Sequence, residues 1–271
     1  MGQVVRALVL AGARSRKSLV ELSQSRTKAA IRLYGRPLVE YVLNALLRAE
    51  EVEDVTVAGA PDLVSLPGEI RRAVRWVPGG ASMARSLELG LEAMSSSGPV
   101  LVVACDLPLL LPEAVDDFVR CALRTEGEVV YPLVPRRAVE ALARGAGKRS
   151  LWTREGTYAA GNVALVRREL SSRAFSLLER AHRWRKDPWT LGQILGWDIY
   201  LQLGARRMSL ADLEARVRER SGVDVRMIAV EHGSLGFDLD SPKDLLIALR
   251  SLAHRAGRLE SARIGTTLYS R

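Results

Sequence analysis

The sequence predicts an α/β fold with a doubly wound, mostly parallel sheet, and three observations support this prediction. Strand-like segments alternate with segments of helical periodicity through the first half of the chain. The strand-like segments are largely apolar, as in parallel strands that are covered on both faces. With 271 residues, of which 48% are hydrophobic, the chain can fill one large core. Such alternation is typical of βαβ units.

The first half supplies the predicted strands and the helices between them. Five short segments are predicted as strands: Val4 to Leu10, Asp54 to Ala58, Val74 to Val77, Pro99 to Ala104 and Glu128 to Tyr131. Three segments are predicted as helices: Pro37 to Ala49, Ser82 to Met94 and Pro112 to Leu123. Because βαβ crossovers are right-handed, the carboxyl ends of the strands should meet at one edge, where ligands bind.

The pattern changes after Arg136. The later segments are predicted as follows: 145–158 a basic, glycine-containing hairpin or flap, 170–217 largely helical with starts at Asp187-Pro188 and Ser209, 223–230 a strand, and 240–253 a helix that begins at Ser241-Pro242. The last residues, 255–271, form a polar tail. We therefore expect one domain over residues 1–254.

Composition excludes several classes of site. Cys105 and Cys121 are too few for a disulfide scaffold, and three dispersed histidines without a metal-binding motif argue against zinc. A hard ion held by carboxylates, magnesium above all, is the expected metal. The net charge of +9 is scattered and does not favour nucleic-acid binding. We expect a cytoplasmic protein, since the sequence has neither a membrane-length apolar run nor a signal-peptide cleavage site.

The loop after the first strand has the character of a phosphate-binding loop. Gly12 lets backbone N–H groups approach phosphate oxygens, and Arg14, Arg16 and Lys17 could neutralise a triphosphate. An ordinary connection between a strand and a helix needs a glycine just as often, so both interpretations stay open.

The segment Thr27 to Leu38 resembles the "PKxLxxxxGxPLxxxxL" signature of the MobA-like NTP transferases. The resemblance implies that Lys28 reaches the phosphates of the nucleotide, a role that suits a mobile point charge. A solvated loop lysine is the alternative. The run Val102 to Leu110 is similar to the family's "xxxDxPLL" element, whose aspartate binds the metal, and this implies that Asp106 is a metal ligand. Asp106 could instead cap a turn before Pro108.

Three further segments extend the resemblance over most of residues 3–250. Gly236 to Leu245 resembles the closing "DxDTPEDL" element, which implies a metal ligand at Asp240, with Asp238 as the alternate. Either Asp240 or Ser241 would also serve as the N-cap of the last helix. Pro78 to Leu87 resembles a stretch that contacts the base or sugar, through Gly79, Gly80, Ser82 and Arg85. Gly156 to Val163 resembles a "GTFTGGN" element near the acceptor site, with Gly161 and Asn162. Arg149 and Arg154 are further acceptor candidates.

The resemblance implies a Rossmann-like nucleotidyltransferase fold, with a nucleotide-binding half at 1–135 and an acceptor half at 136–254. The implied activity is the Mg²⁺-dependent transfer of a nucleoside monophosphate from an NTP to a small phosphorylated or anionic acceptor. Leu10, Ala11, Gly12 and Ala13 would contact the nucleotide, and Lys28 with Arg14 or Arg16 would stabilise its phosphates. The chain could act as a homodimer.

One departure from the family keeps two rival functions open. The family loop reads "LAGGxGxRMG", whereas here only Gly12 remains and the stretch up to Lys28 is longer. Arg14 or Arg16 could compensate, and the extra residues could form a flexible lid. Alternatively, the protein is a non-catalytic nucleotide sensor. A nucleotide-sugar-dependent glycosyltransferase is the other rival, but Asp106 lacks a second aspartate two residues later, and Asp238-Leu239-Asp240 runs into a helix.

Overall fold

Side chains on both faces of the central strand are buried, so the sheet is covered on both sides. In the computed structural model, which describes residues 4–13, 15–60, 62, 64–94, 98–167, 174, 175, 177 and 196–268 (200 and 258–268 by their backbone only), the first strand begins at Val5. Ala7 and Val9 pack in one buried cluster, and Leu8 packs in another. Because successive strand side chains point to opposite faces, the sheet lies between two apolar layers.

The strands are β1 Val5–Leu10, β2 Arg32–Leu33, β3 Arg36–Pro37, β4 Val52–Ala58, β5 Arg75–Val77, β6 Val100–Ala104, β7 Val129–Pro135, β8 Ser150–Trp152, β9 Thr157–Ala160, β10 Val163–Val166 and β11 Val225–Ala229. The helices are α1 Lys17–Ser23, α2 Leu38–Leu46, α3 Gly68–Ala73, α4 Met83–Ala93, α5 Pro112–Leu123, α6 Arg136–Leu142, α7 Asp198–Gly204, α8 Leu210–Ser221 and α9 Pro242–Leu268. Short 3₁₀ turns cover Lys28–Ala30 and Gly233–Leu235.

The main sheet is mixed, as expected. Its strand order is β5-β4-β1-β6-β10-β7-β9-β8, with β11 paired to β7. Strands β5, β4, β1 and β6 are mutually parallel, and β11 is parallel to β7. Strand β10 runs antiparallel between β6 and β7, and β8 and β9 form an antiparallel pair. The predicted doubly wound α/β fold is confirmed, and the segment predicted as a hairpin or flap at 145–158 contains most of a hairpin that β8 and β9 form at 150–160.

Helices cover both faces of this sheet. Residues of α2 and α5 share the buried cluster of Ala7 and Val9, whereas residues of α4, α7 and α8 share the cluster of Leu8. Helix α8 begins with the expected capping box, in which Ser209 and Asp212 bond each other's backbone N–H groups. Within the described ranges, every helix is too short or too polar to span a bilayer.

Three of the differences from the expected elements concern β7, α9 and α1. Strand β7 continues past Tyr131 to Pro135, because a proline loses only its N–H donor and the carbonyl of Pro132 still accepts a hydrogen bond from Gly161. Helix α9 continues past Ala253 to Leu268, in a stretch that lacks proline. Helix α1 occupies part of the predicted loop after β1. The predicted helix start at 187–188 lies outside the described residues.

Candidate active site

Strands β5, β4, β1 and β6 end side by side, and the residues that follow them line one edge of the sheet. Ala11 extends the β1–β4 pairing, since its N–H donates to the carbonyl of Ala58 over 2.8 Å. A side chain at Gly59, after β4, would bring its Cβ within 2.9 Å of the Ala11 Cβ. The backbones of the two loops therefore approach each other closely. Gly59 was missed by sequence reasoning, although a glycine directly after an apolar strand was the signal that drew attention to Gly12.

Lys28 is brought to this edge by backbone contacts with the first loop. Its N–H donates to the carbonyl of Ala13 over 3.0 Å, and the N–H of Ser15 donates to the carbonyl of Arg26 over 2.9 Å. These two bonds close the base of the segment that contains α1. The 3₁₀ turn at Lys28–Ala30 then buries the Lys28 side chain, which is 10% exposed.

The Lys28 ammonium bridges two aspartates that lie far apart in sequence. Its Nζ is 2.5 Å from Asp106 Oδ2 and also bonds to Asp240 Oδ1. Asp106 is the second residue after β6, next to Cys105. Its carbonyl accepts a hydrogen bond from the N–H of Leu239 over 3.0 Å. This bond holds the loop before α9 against the end of β6. The expected meeting of Asp106 and Asp240 at the edge of the sheet is therefore confirmed, while their role as metal ligands stays a prediction.

The ion pairs keep Lys28 protonated. Burial by itself lowers the pKa of the Lys28 amine, but the charges of Asp106 and Asp240 and their hydrogen bonds raise it by more. The net result is a pKa above the ordinary value of 10.5. Lys28 therefore carries a full positive charge at any physiological pH.

Three carboxylates at this edge fit a hard divalent cation. Oxygens of Asp106, Asp238 and Asp240 all lie within 4.8 Å of one another. Ligand oxygens on opposite sides of one Mg²⁺ are about 4 Å apart, so a small movement would allow them to share an ion. Together with Asp244, the carboxylates outnumber the ammonium groups of Lys28 and Lys148 that pair with them. The carboxylate oxygens and the net negative charge of this cluster would suit a hard divalent cation.

Lys148 is a second lysine of this cluster, partly buried, and sequence reasoning missed it. Its Nζ lies 3.0 Å from Asp238 Oδ1 and 3.2 Å from Asp244 Oδ1, donates to the carbonyl of Asp238, and sits 4.8 Å from the centre of the Phe237 ring. Asp244 in turn accepts hydrogen bonds from Ser241 Oγ over 2.8 Å and from the N–H of Asp240 over 3.2 Å. Lys148 thus anchors the aspartate loop to the segment before β8. Only its position in the basic stretch beside Arg149 hinted at this.

The first loop contains more regular secondary structure than the sequence suggested. Arg16 is the N-cap residue of α1, and its guanidinium reaches to 3.9 Å from Asp240 Oδ2. Leu19 of α1 is buried in the core. Arg14 lies outside the described residues. Of the two predicted phosphate-binding arginines, Arg16 is therefore placed beside the aspartate cluster.

The loop after β5 meets the end of β1 through Ser86. The Gly80 N–H donates to Ser86 Oγ over 3.0 Å, and a Cβ on Gly12 would lie 3.7 Å from the same oxygen. Ser82 caps α4 by accepting a hydrogen bond from the N–H of Arg85 over 3.2 Å. The Arg85 guanidinium pairs with Glu88 of its own helix, 2.5 Å away. Gly80 thus lies near the first loop through Ser86, Gly79 packs against Gly59, and Ser82 and Arg85 are engaged at the start of α4.

The predicted acceptor residues divide into two groups. Asn162 is buried at the start of β10, and because that strand is antiparallel it begins at the carboxyl end of β6, where the N–H of Ala104 donates to the Asn162 carbonyl over 3.0 Å. Within the described residues, its side-chain Oδ1 has no hydrogen-bond partner. Gly161 packs against Pro132.

The two arginines that were predicted to bind the acceptor lie in the β8–β9 hairpin or directly before it. Arg154 lies in the turn between β8 and β9, where its guanidinium donates to the carbonyl of Arg207 over 2.9 Å. Arg149 immediately precedes β8 and directly follows Lys148. The structure therefore places Asn162 beside the aspartate-bearing edge, while Arg154 binds to the segment before α8.

Comparisons with known proteins agree with this geometry. Residues 7–186 match the model of the MobA-like NTP transferase domain. A solved structure described as a hypothetical transferase from Thermus thermophilus is 34% identical, with a TM-score of 0.75, and the match covers 89% of this chain and 99% of that one.

Two curated relatives match over shorter stretches. A probable molybdenum cofactor guanylyltransferase of Mycolicibacterium paratuberculosis is 33% identical over 130 residues, which is 46% of this chain. A 2-C-methyl-D-erythritol 4-phosphate cytidylyltransferase of Prochlorococcus marinus is 30% identical over 93 residues, which is 33% of this chain. The matched stretches span 61% and 39% of the length of these two relatives.

Proposed function

The chain belongs to the MobA-like NTP transferase family, and from this premise we propose that it transfers a nucleoside monophosphate from an NTP to a small phosphorylated or otherwise anionic acceptor. An oxygen of the acceptor forms a bond to the α-phosphorus of the NTP. The bond from that phosphorus to the oxygen bridging to the β-phosphate breaks, and its electron pair leaves with pyrophosphate. An acceptor oxygen that is already ionised needs no general base.

The convergence of Lys28, Asp106 and Asp240 is the observation that carries this proposal. Such a reaction requires alignment and neutralisation of developing charge more than covalent help from the protein. Lys28 supplies a permanent positive charge beside the loops that follow β1 and β6. Asp106 and Asp240, with Asp238 beside them, would hold Mg²⁺. When bound, the ion would withdraw charge from phosphate oxygens and fix their position.

The remaining contacts to the nucleotide would come from the loops at the same edge. Leu10 ends β1, and the backbone N–H groups of Gly12 and Ala13 follow it in the position of a phosphate-binding loop. Arg16 stands near Asp240 and could add a second positive charge. Asn162 is the acceptor-side residue that the fold supports best, because its unsatisfied Oδ1 lies where β10 meets the end of β6.

The experiment is a direct assay of pyrophosphate release. GTP and CTP are the first nucleotides to test, because the two curated relatives are named as a guanylyltransferase and a cytidylyltransferase. Each would be incubated with Mg²⁺, the protein and a panel of phosphorylated acceptors, and the Asp106→Asn variant would serve as the matched control. Release that depends on Mg²⁺, on an acceptor and on Asp106 would support the proposal.

A nucleotide sensor is the second candidate, and the departure of the first loop from its family pattern favours it. Only Gly12 remains of the three glycines expected there, and helix α1 fills the longer segment. A sensor would be stabilised by NTP in a thermal-shift assay yet release no pyrophosphate with any acceptor. Use of a nucleotide sugar in place of an NTP would instead favour a glycosyltransferase.

A further inference from the structure

Lys28 occupies the position at which a metal ion would bind. Its ammonium contacts one oxygen of Asp106 at 2.5 Å and one of Asp240. These two carboxylates, together with Asp238, are the only group of three or more candidate metal-ligating side chains in the described part of the chain. A cation that took these same two oxygens would have to displace the ammonium of Lys28 from them.

The two lysines of the cluster are held in different ways. Lys148 bonds to a backbone carbonyl and stacks over the Phe237 ring in addition to its carboxylate partners, so more than carboxylates fixes its position. The described contacts of Lys28 Nζ are both to carboxylates. Lysine is a compact charge on a flexible stem, so a new anionic partner nearby can draw it away at little steric cost.

We propose that Lys28 and a divalent cation compete for the Asp106–Asp240 pair, and that the phosphates of a bound nucleotide draw the Lys28 ammonium away and so open the pair to the ion. The competition follows from the geometry of the three side chains alone, whereas its relief by phosphates rests on the proposed function. Because coupling between two ligands is reciprocal, metal and nucleotide should each bind poorly alone and strengthen each other's binding.

The competition can be measured without nucleotide and without activity. Titration of the whole protein with Mn²⁺, followed by the loss of the free-ion electron paramagnetic resonance signal, gives a Kd for the ion. We expect Lys28→Met to bind Mn²⁺ more tightly than wild type by about tenfold or more, because no internal cation must be displaced. The double variant Lys28→Met, Asp106→Asn should lose this tight site, which would place the ion at the pair.

Lys148→Met is the matched control for charge. It removes the same positive charge from the same cluster but leaves Lys28 between Asp106 and Asp240. If Lys28 competes for the site itself, its removal should tighten Mn²⁺ binding at least about threefold more than removal of Lys148. An equal gain for the two variants, or no gain for Lys28→Met, would overturn the proposal.

Wild-type protein offers a second measurement should Lys28→Met fold poorly. The chain has only five lysines, at 17, 28, 148, 186 and 243, so their side-chain ammonium signals can be assigned by NMR after ¹⁵N-lysine labelling. Saturating Mn²⁺ is too strong a relaxation agent, so Mg²⁺ is used here, with the α,β-methylene analogue of GTP or CTP. The proposal requires the Lys28 signal to shift when both are present, and to shift by more than the Lys148 signal.

The outcomes separate this inference from the proposed function. If neither analogue binds, the proposed function fails, while the Mn²⁺ titrations without nucleotide still decide whether Lys28 competes with the ion. If an analogue binds with Mg²⁺ and the Lys28 signal does not move, the displacement is wrong although the nucleotide-binding function stands.

Discussion

Replacing Lys148 with methionine should destabilise the folded protein by about 3 kcal/mol at neutral pH. The Lys148 side chain is 14% exposed, and its partners Asp238 and Asp244 are 6% and 10% exposed. Breaking a buried ion pair from one side costs roughly 3–5 kcal/mol, because the remaining charge is left uncompensated. We place the loss at the lower end of that range, since Asp244 keeps its hydrogen bonds to Ser241 and to the N–H of Asp240.

Urea unfolding followed by far-UV circular dichroism measures this loss. Lys17→Met is the matched control, because Lys17 is 92% exposed and lies 4.0 Å from the carboxylate of Glu21. An exposed pair of this kind contributes about 0–1 kcal/mol, so the control should unfold near the wild-type midpoint. Asp244→Asn tests the partner, and the double variant should be less destabilised than the sum of the two single variants by about 1 kcal/mol or more.

Two results would refute this reasoning. A loss below about 0.5 kcal/mol for Lys148→Met would mean that water reaches the cluster and screens it, as at an ordinary surface position. Strict additivity of the Lys148 and Asp244 substitutions would mean that these side chains do not interact in solution, whatever their distance in the structure.

Three further predictions follow from other positions. Burial, together with the charge of Asp106, raises the pKa of the Cys105 thiol, so iodoacetamide at about pH 8 should label exposed Cys121 but not Cys105 in the native protein. Peptide mass spectrometry measures the labelling, and a labelled Cys105 peptide would contradict the prediction. Gly161→Ala should cost about 1–3 kcal/mol in urea unfolding, because its Cβ would lie 2.6 Å from Pro132 Cγ, and an unchanged midpoint would contradict this. In the Asp106→Asn variant, nucleotide should still raise the melting temperature, but EDTA should no longer reduce this shift. Equal sensitivity to EDTA in variant and wild type would argue against a metal at Asp106.

The edge of the parallel sheet was the part of the site that the sequence could predict. Strands β1, β5 and β6 have apolar segments with clear ends, and parallel strands bring their carboxyl ends to one edge. Gly12, Gly79 and Asp106 are each within two residues of such an end. Local pattern and one topological rule therefore sufficed for these residues, and the family motifs added Lys28 and Asp240.

Features that depend on tertiary pairing could not be predicted from the same patterns. The antiparallel β10 between β6 and β7 brings Asn162 to the ligand edge, yet nothing in its short apolar run distinguishes an antiparallel strand from a parallel one. Helix α1 has only seven residues and becomes stable by burying Leu19, so the sequence suggested only a loop. Isolated helices of this length are marginal, and packing decides whether they form.

Lys28 and Lys148 show why residue type alone does not reveal a role at this site. Lys28 is buried and Lys148 is partly buried, and each of them pairs with two carboxylates of the same cluster. Lys28 could be identified from the sequence because it lies within a recognisable motif. Lys148 lies in no such motif, and its partners are about 90 residues away in the chain. Their difference lies in the other contacts: Lys148 is also tied to a carbonyl and an aromatic ring, while Lys28 is held by the carboxylates that a metal would use. We infer that Lys148 maintains the aspartate loop and that Lys28 is the lysine able to respond to a nucleotide.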